Sequence, residues 1–403
     1  MVKASCSLDR IVFKTYFFIK NKCFLADSTR YLRNELINLP TQMLQLQNII
    51  HTQFRNYVQQ SFHFEDRIIG ICGKNGTGKT NLLDAIYYLS FSKSYFSRAD
   101  AANVHHGMLG LRIEGKYQLN TIDQHLVFIL RENNRKELTL NDETYKKFSD
   151  HIGKFSCVMI APDDIAIIAG SSDERRKLID TIISQFNKHY LLLLIDYQKL
   201  LLQRNAVLKQ LAESGYVDES LFEILDQQLC KKGDQIFEIR KDFLVGYLQL
   251  VAEIYSKIAG NSDQIELFYE SQLLQQNMDE LFKINLQKDK TLQRTCAGIH
   301  KDDIIFKMQK QVFKNEASQG QRKSLLFALK LAERQILKEQ KGYTPILLLD
   351  DVFEKLDEKR MYQLLHWVCT ESDGQVFITD THVQRLREQL TQTNIPFQLI
   401  EIQ

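Results

Sequence analysis

The chain has 403 residues, with 52 Lys and Arg against 50 Asp and Glu and a formal net charge of +2. That size allows two or three hydrophobic cores, and 44% apolar with 25% charged residues is ordinary for a globular protein. The near-neutral balance excludes a global basic field, so contact with nucleic acid has to come from local patches. No apolar run is long enough to span a bilayer, and the stretch 11–20 is interrupted by Lys14 and lacks a signal-peptide cleavage site. Seven cysteines, at 6, 23, 72, 157, 230, 296 and 369, form no C-x-x-C pair. Their odd number and wide spacing argue for reduced thiols in a cytoplasmic protein, against a disulfide framework or a zinc site.

Residues 1–42 carry seven Lys/Arg against three acids and no clear period. Met43 reads as a start, with the residues before it an extension or a disordered tail; the alternative is that they form a real extra element. From Met43 the alternation Leu44-Gln45-Leu46-Gln47-Asn48-Ile49 predicts a strand. Arg67–Cys72 reads as a short buried strand. It runs into Gly73-Lys74-Asn75-Gly76-Thr77-Gly78-Lys79-Thr80, which satisfies G-x-x-x-x-G-K-[ST]. The glycines let successive backbone N–H groups turn inward around a triphosphate. Lys79 is then placed to reach the β- and γ-phosphates, and the Thr80 hydroxyl to ligate Mg²⁺. Asn81–Leu89 follows as a helix with an apolar face, so strand, loop and helix stand in the confirming order.

Strands are expected over 109–115, 125–130 and 136–140, with Asn133-Asn134 turning a hairpin. From Asp173 to about Gly260 the apolar residues recur at three- and four-residue steps, Ile236, Ile239, Phe243, Tyr247, Leu250, Val251 and Ile254 among them. This predicts an inserted arm of two or three long helices, too short and irregular for an extended coiled coil. Domain limits are expected at 43–172 for a first lobe, 173–290 for the arm and 291–403 for the completed lobe.

Two further motifs carry chemistry. Ala317-Ser318-Gln319-Gly320-Gln321-Arg322-Lys323 opens a helix, and a capped helix N-terminus presents free N–H groups to an anion. Pro345-Ile346-Leu347-Leu348-Leu349-Asp350-Asp351 is a buried strand ending in two acids, the Walker B pattern. Asp350 is expected to hold Mg²⁺ and Asp351 to polarise the attacking water, a role more often given to Glu. Leu356-Asp357 matches a D-loop, and the buried strand Val376–Thr379 precedes Asp380-Thr381-His382. His382 stands beyond the usual switch-histidine position and reads as a surface residue. About 270 residues separate Lys79 from Asp350, far more than in a small kinase or GTPase. The fold class is therefore α/β, similar to an ABC/SMC-type P-loop ATPase head with an inserted helical arm.

The chain resembles the RecF family of SMC-like recombination-mediator ATPases. The resemblance rests on Phe54-Arg55-Asn56-Tyr57, the segment Gly73–Ile86, Pro162-Asp163-Asp164 and residues 170–176. It continues through Tyr197, Gln203-Arg204-Asn205, residues 298–303, the 317–323 signature and the segment Asp350–Asp357, spanning 43–403 in the family's order. Departures are Ile299, where the family has Pro, and Glu354-Lys355, where it has Ser-Glu.

The resemblance implies ATP and Mg²⁺ as cofactors, with a homodimer closing on ATP. Each nucleotide would lie between the phosphate loop of one copy and Ser318, Gly320 and Gln321 of the other, with Asp357 at the seam. It also implies binding to single-stranded and duplex DNA at gap junctions, partnership with RecO and RecR in loading recombinase, and slow hydrolysis timing release. Salt-dependent phosphate contacts would serve that role, with Arg175-Arg176-Lys177, Lys231-Lys232 and Arg322-Lys323 as candidate patches, each more readily read as a solvated helix face. A clamp that does not hydrolyse ATP, and the ATPase of an SMC-like nuclease system, stay open as alternatives.

Overall fold

A computed structural model describes residues 42–215, 219–259, 264–351, 358–370 and 373–403. Strand β1 (Gln42–Phe54) alternates as expected, with Leu44, Leu46 and Ile49 wholly buried. It turns back into β2 (Tyr57–His63) in antiparallel register, Phe54 opposite Tyr57. β3 (Ile68–Cys72) is buried at every position, the pattern of a central parallel strand covered on both faces. The phosphate-loop motif joins it to helix α1 (Lys79–Phe91). β4 (Leu111–Leu119), β5 (Ile122–Leu130), β6 (Lys136–Leu140) and β7 (Glu143–Thr144) join β1 and β2 in a seven-stranded sheet, whose remaining strand beside β1 comes from residues 343–344. The expected hairpin is present: Leu130 pairs with Lys136, and Asn134 supplies a left-handed turn residue at φ 59°.

β8 (Cys157–Ile160) precedes three long helices, α2 (Ser172–Phe186), α3 (Lys188–Ser214) and α4 (Glu219–Ala259). In α4 the buried positions Leu225, Leu229, Gly233, Ile236, Arg240, Leu244, Tyr247, Val251, Ile254 and Ile258 follow one helical stripe. β9 (Ile265–Glu270) and α5 (Met278–Leu292) come next, then β10 (Asp303–Met308), β11 (Gln311–Val312) and α6 (Gln319–Lys341). The chain ends with β12 (Tyr343–Thr344), β13 (Ile346–Leu349), α7 (Glu358–Thr370), β14 (Val376–Asp380), α8 (Val383–Thr391) and β15 (Phe397–Glu401).

The second sheet has the order β15-β3-β14-β13-β8, parallel at every described pairing. Successive residues of its strands point to opposite faces. Ile69, Ile71, Met159, Leu348 and Phe377 pack with α1 and the seven-stranded sheet. Ile68, Val158, Ile160, Leu347, Leu349 and Ile378 pack with the long helices. Met43–Gln403 form one compact unit, and the arm shares its core: the Tyr247 hydroxyl of α4 donates to the Leu329 carbonyl of α6 at 3.0 Å. The expected arm limit at residue 290 falls inside α5 and between β9 and β10, which pair from Asp303 opposite Glu270 to Met308 opposite Ile265. That small sheet joins segments on both sides of the limit, because cross-strand hydrogen bonding is non-local and leaves no mark on sequence period.

One buried group makes folding pH-sensitive. His51 is fully buried among Phe54, Tyr57 and Phe62, ring centroids 4.9–5.8 Å away, and neither ring nitrogen has a described hydrogen-bond partner. Burial pulls its pKa from 6.5 down to about 3. The unfolded chain therefore takes up a proton that the folded chain refuses. The stability this withholds is intact above pH 6.5 and is lost as pH falls towards 3, about 2 kcal/mol by pH 5. His51→Phe is expected to flatten the acid limb, read as a smaller drop in melting temperature between pH 7.5 and pH 5.

Candidate nucleotide-binding site

The loop 73–78 owes its path to two crowded glycines. A Cβ on Gly73 would sit 2.3 Å from the Ile402 carbonyl oxygen, and one on Gly78 would sit 2.6 Å from the Tyr57 hydroxyl oxygen. Gly78 also adopts φ +114°, a conformation L side chains avoid, as it caps α1. The Lys79 ammonium, 5% exposed, donates to the carbonyls of Gly73 at 2.8 Å and Lys74 at 2.9 Å. The loop is thus wrapped around its own cation, while Lys74, Asn75 and Gly76 stay exposed at its tip. Thr77 donates its hydroxyl to the Lys74 carbonyl at 3.0 Å, closing the turn.

The parallel sheet brings the second motif to this loop. Thr80 Oγ1 donates to the Asp350 carboxylate, 3.0 Å from either oxygen, and Thr379 Oγ1 donates to Asp350 Oδ1 at 2.9 Å. Asp350 is 4% exposed, and burial pushes its carboxyl up to about 6; Asp351 adds to this, while the two hydroxyls and Lys79 oppose it. Asp351 follows in the left-handed region at φ 46°, its N–H donating to Thr379 Oγ1 at 2.8 Å. Asp tolerates that conformation better than most residues, and it bends the chain at the strand end.

A hydroxyl and a carboxylate are hard oxygen donors, the kind Mg²⁺ prefers when phosphates and water complete its shell. No cluster of three or more His, Cys, Asp or Glu able to hold a metal occurs among the described residues. The donor set at Thr80 and Asp350 therefore fits an ion shared with nucleotide phosphates.

The β1–β2 turn braces the loop, a role the sequence motif Phe54–Tyr57 did not disclose. Asn56 Nδ2 donates to the Thr77 carbonyl at 3.0 Å, and the Tyr57 hydroxyl donates to the Gly78 carbonyl at 3.0 Å. Asn81 Nδ2 donates back to Asn56 Oδ1 at 2.6 Å. Arg55 pairs with the fully buried Asp84 of α1 at 2.6 Å. Thr379 was missed as well, since a threonine within an apolar strand carries no signal of its own.

Ser318 caps α6 in a reciprocal box: its Oγ accepts from Gln321 N–H at 3.2 Å and Gln321 Oε1 accepts from Ser318 N–H at 2.8 Å. Ser318 is exposed and Gly320 half-buried, and no described hydrogen bond joins either to the loop 73–80. Asp357 lies outside the described residues. His382 is exposed at the start of α8, its N–H donating to the buried Asp380 at 2.8 Å, in keeping with a surface histidine. Of the basic patches, Arg175 is turned inward onto Asp303 at 2.6 Å and Arg176 donates to the Asp302 carbonyl at 2.5 Å. Lys232 pairs with Asp196 at 2.8 Å. These two arginines therefore tie α2 to the β10 edge, a use that a run of basic letters cannot reveal.

A phosphate loop and an acidic strand end meeting in one parallel sheet, with a helical arm inserted between them, define an SMC-type ATPase head. The family model described as RecF/RecN/SMC N terminal domain matches residues 45–398. The chain is 40% identical to the DNA replication and repair protein RecF of Flavobacterium johnsoniae, covering 87% of this chain and 97% of that protein. It is 37% identical to the RecF of Parabacteroides distasonis, over 87% and 95% of the two chains. This chain belongs to the RecF family. The solved structure of a RecF–ATP complex from the RecFOR pathway superposes with a TM-score of 0.79 at 28% identity, covering 86% of this chain and 94% of that one. An Smc head from Pyrococcus furiosus, at 15% identity and a TM-score of 0.53 over 90% and 94% of the chains, shares the fold.

Proposed function

We propose that this chain is an ATP-dependent DNA-binding protein of recombinational repair and replication restart, acting in the cytoplasm. The observation that carries the reading is the Thr80–Asp350 contact at 3.0 Å beside Lys79, which assembles from distant segments the groups ATP requires. The family membership and the name of the relatives support the repair role; RecO and RecR are the partners expected from the pathway named for the solved RecF.

In this reading the N–H groups of residues 73–80 and the Lys79 ammonium bind and orient the β- and γ-phosphates. Thr80 and Asp350 would hold Mg²⁺, which supplies charge neutralisation when bound. Asp351 would orient the attacking water. Ser318, Gly320 and Gln321 of a second copy would meet the γ-phosphate, and Asp357 would lie at the seam. Hydrolysis is slow until that dimer forms, stays weak though stimulated by DNA, and times release by shifting open and closed populations.

Light scattering with and without ATP·Mg²⁺ tests the dimer, the expected result being a doubling of mass only with nucleotide. Ser318→Gly sharpens the test, because glycine replaces a serine cap at a cost of only a few tenths of a kcal/mol. The variant is expected to melt like wild type and to stay monomeric with ATP. A variant that still doubles its mass removes Ser318 from the sandwich.

A further inference from the structure

The parallel sheet places β14 between the strand that runs into the phosphate loop and the strand that ends in the two acids. Thr379 stands near the carboxyl end of β14, opposite Ile71 of β3, and its neighbour Ile378 pairs with Leu349 of β13. It is wholly buried. A threonine hydroxyl has one hydrogen to give and two lone pairs to receive with. Here the hydrogen goes to Asp350 Oδ1 at 2.9 Å, and a lone pair takes the Asp351 N–H at 2.8 Å. One oxygen atom therefore touches both acids, the first through its carboxylate and the second through its backbone. The backbone contact falls on a residue at φ 46°, a conformation that costs a side-chain-bearing residue free energy and persists where its surroundings enforce it. The strand end that carries Thr379 is itself anchored. Asp380, 1% exposed, accepts from the Arg385 guanidinium of α8 at 2.6 and 3.0 Å and from the His382 N–H at 2.8 Å.

We infer that Thr379 is a positioning residue for the nucleotide reaction: its hydroxyl sets the direction of the Asp350 carboxylate and fixes the turn on which Asp351 stands. The inference deepens the function proposed above and rests on it. Two hydroxyls donate to Asp350, and they differ in what else they do. Thr80 belongs to the loop, and its oxygen is the one expected on Mg²⁺. Thr379 belongs to the sheet and keeps its hold on Asp350 whatever the loop binds. Its hydrogen bond occupies Oδ1, and Oδ2 is left on the side of the loop, where Thr80 is its described partner. A carboxylate pinned at one oxygen by a buried strand offers the other in a fixed direction, without the entropy of a freely turning group. Hydrogen bonds of this kind to a ligating carboxylate orient it, and losing one costs roughly tenfold to a hundredfold in metal affinity or activity. Valine would fill the same space in the strand and suit it as well, so packing alone does not call for the hydroxyl.

The test compares Thr379→Val, Thr379→Ala and Thr379→Ser with wild type, as full chains, by melting temperature, by affinity for a fluorescent ATP analogue in Mg²⁺ and in EDTA, and by kcat for ATP. Valine keeps the branched shape of the side chain. Alanine removes the hydroxyl without setting a methyl against the carboxylate, and it carries the reading if valine unsettles the fold. Both are expected to bind the analogue in EDTA as wild type does, because the phosphate loop is untouched. Both are expected to lose most of the affinity that Mg²⁺ adds and about tenfold to a hundredfold in kcat. Thr379→Ser keeps the hydroxyl and is expected to restore both. A packing role predicts the reverse order, with valine harmless and serine harmful. Valine and alanine variants with the wild-type gain from Mg²⁺ and wild-type kcat overturn the role of Thr379 alone, as does a loss of equal size in EDTA or a serine variant as impaired as the valine one. A wild type that binds no analogue in Mg²⁺ overturns the proposed function and this role together.

Discussion

Lys79→Ala is expected to abolish ATP-driven dimerisation and to lower any ATP hydrolysis by about 10²–10³, the size of losing one preorganised electrostatic contact to a charged transition state. The ammonium is buried in the loop and, among the described residues, donates to the carbonyls of Gly73 and Lys74, so its removal takes a side-chain cation out of the loop's interior. A second consequence runs through Asp350. Lys79 is among the influences that hold down a carboxyl already raised to about 6 by burial. Without it the carboxyl rises further, and protonation then reaches towards neutral pH. Mg²⁺-dependent nucleotide binding by the variant is therefore expected to weaken more steeply than wild type as pH falls from 8 to 6. Binding of a fluorescent ATP analogue across that range, with phosphate release measured on gapped DNA, checks both effects. A variant that dimerises on ATP and holds DNA as wild type does would uncouple the loop from DNA binding and defeat the proposed function.

The largest effect on stability is expected at Arg204→Ala in the arm. Arg204 is fully buried. It donates to Asp289, also fully buried, at 2.6 Å, to Asp226 at 2.5 Å and to Thr295 Oγ1 at 2.9 Å. Its guanidinium also lies over the rings of Phe222 and Phe282, 4.9 and 4.4 Å from their centroids. Truncation leaves the Asp289 carboxylate buried without its counter-charge, a loss of about 3–5 kcal/mol, or roughly 10 °C in melting temperature. Thermal unfolding by circular dichroism reads it. Because the penalty comes from the stranded charge, Arg204→Met combined with Asp289→Leu is expected to recover much of the loss. If the single variant melts within about 1 kcal/mol of wild type, the buried pair is not what holds α3, α4 and α5 together.

These two residues also mark where sequence reasoning stops. Lys79 announces itself, because the glycines, lysine and threonine of a phosphate loop act on a ligand through eight consecutive positions. Arg204 stood out in the sequence only as part of Gln203-Arg204-Asn205, with no role attached. Its partners come from residues 226, 289 and 295, and nothing local distinguishes a buried arginine from a solvated one. The same holds for Arg175, expected among basic patches and found against Asp303. It holds for Asn56 and Tyr57 too, which brace the loop from a turn more than twenty residues upstream.

What the amino-acid order determined by itself was whatever depends on neighbours along the chain: the period-two strand from Leu44, the all-apolar β3, the loop glycines, the capping box at Ser318, the stripe along α4. Each follows from backbone sterics, capping or the repeat of a helix or strand, which act over a few residues. What only the folded molecule decided was which charged and polar groups lose their water. Thr80 meeting Asp350, the pairing of β9 with β10 and the buried Arg204–Asp289 ion pair all arise from segments brought together across tens to hundreds of positions. Desolvation and pairing are set by proximity in space, and proximity in space is what a linear order does not carry.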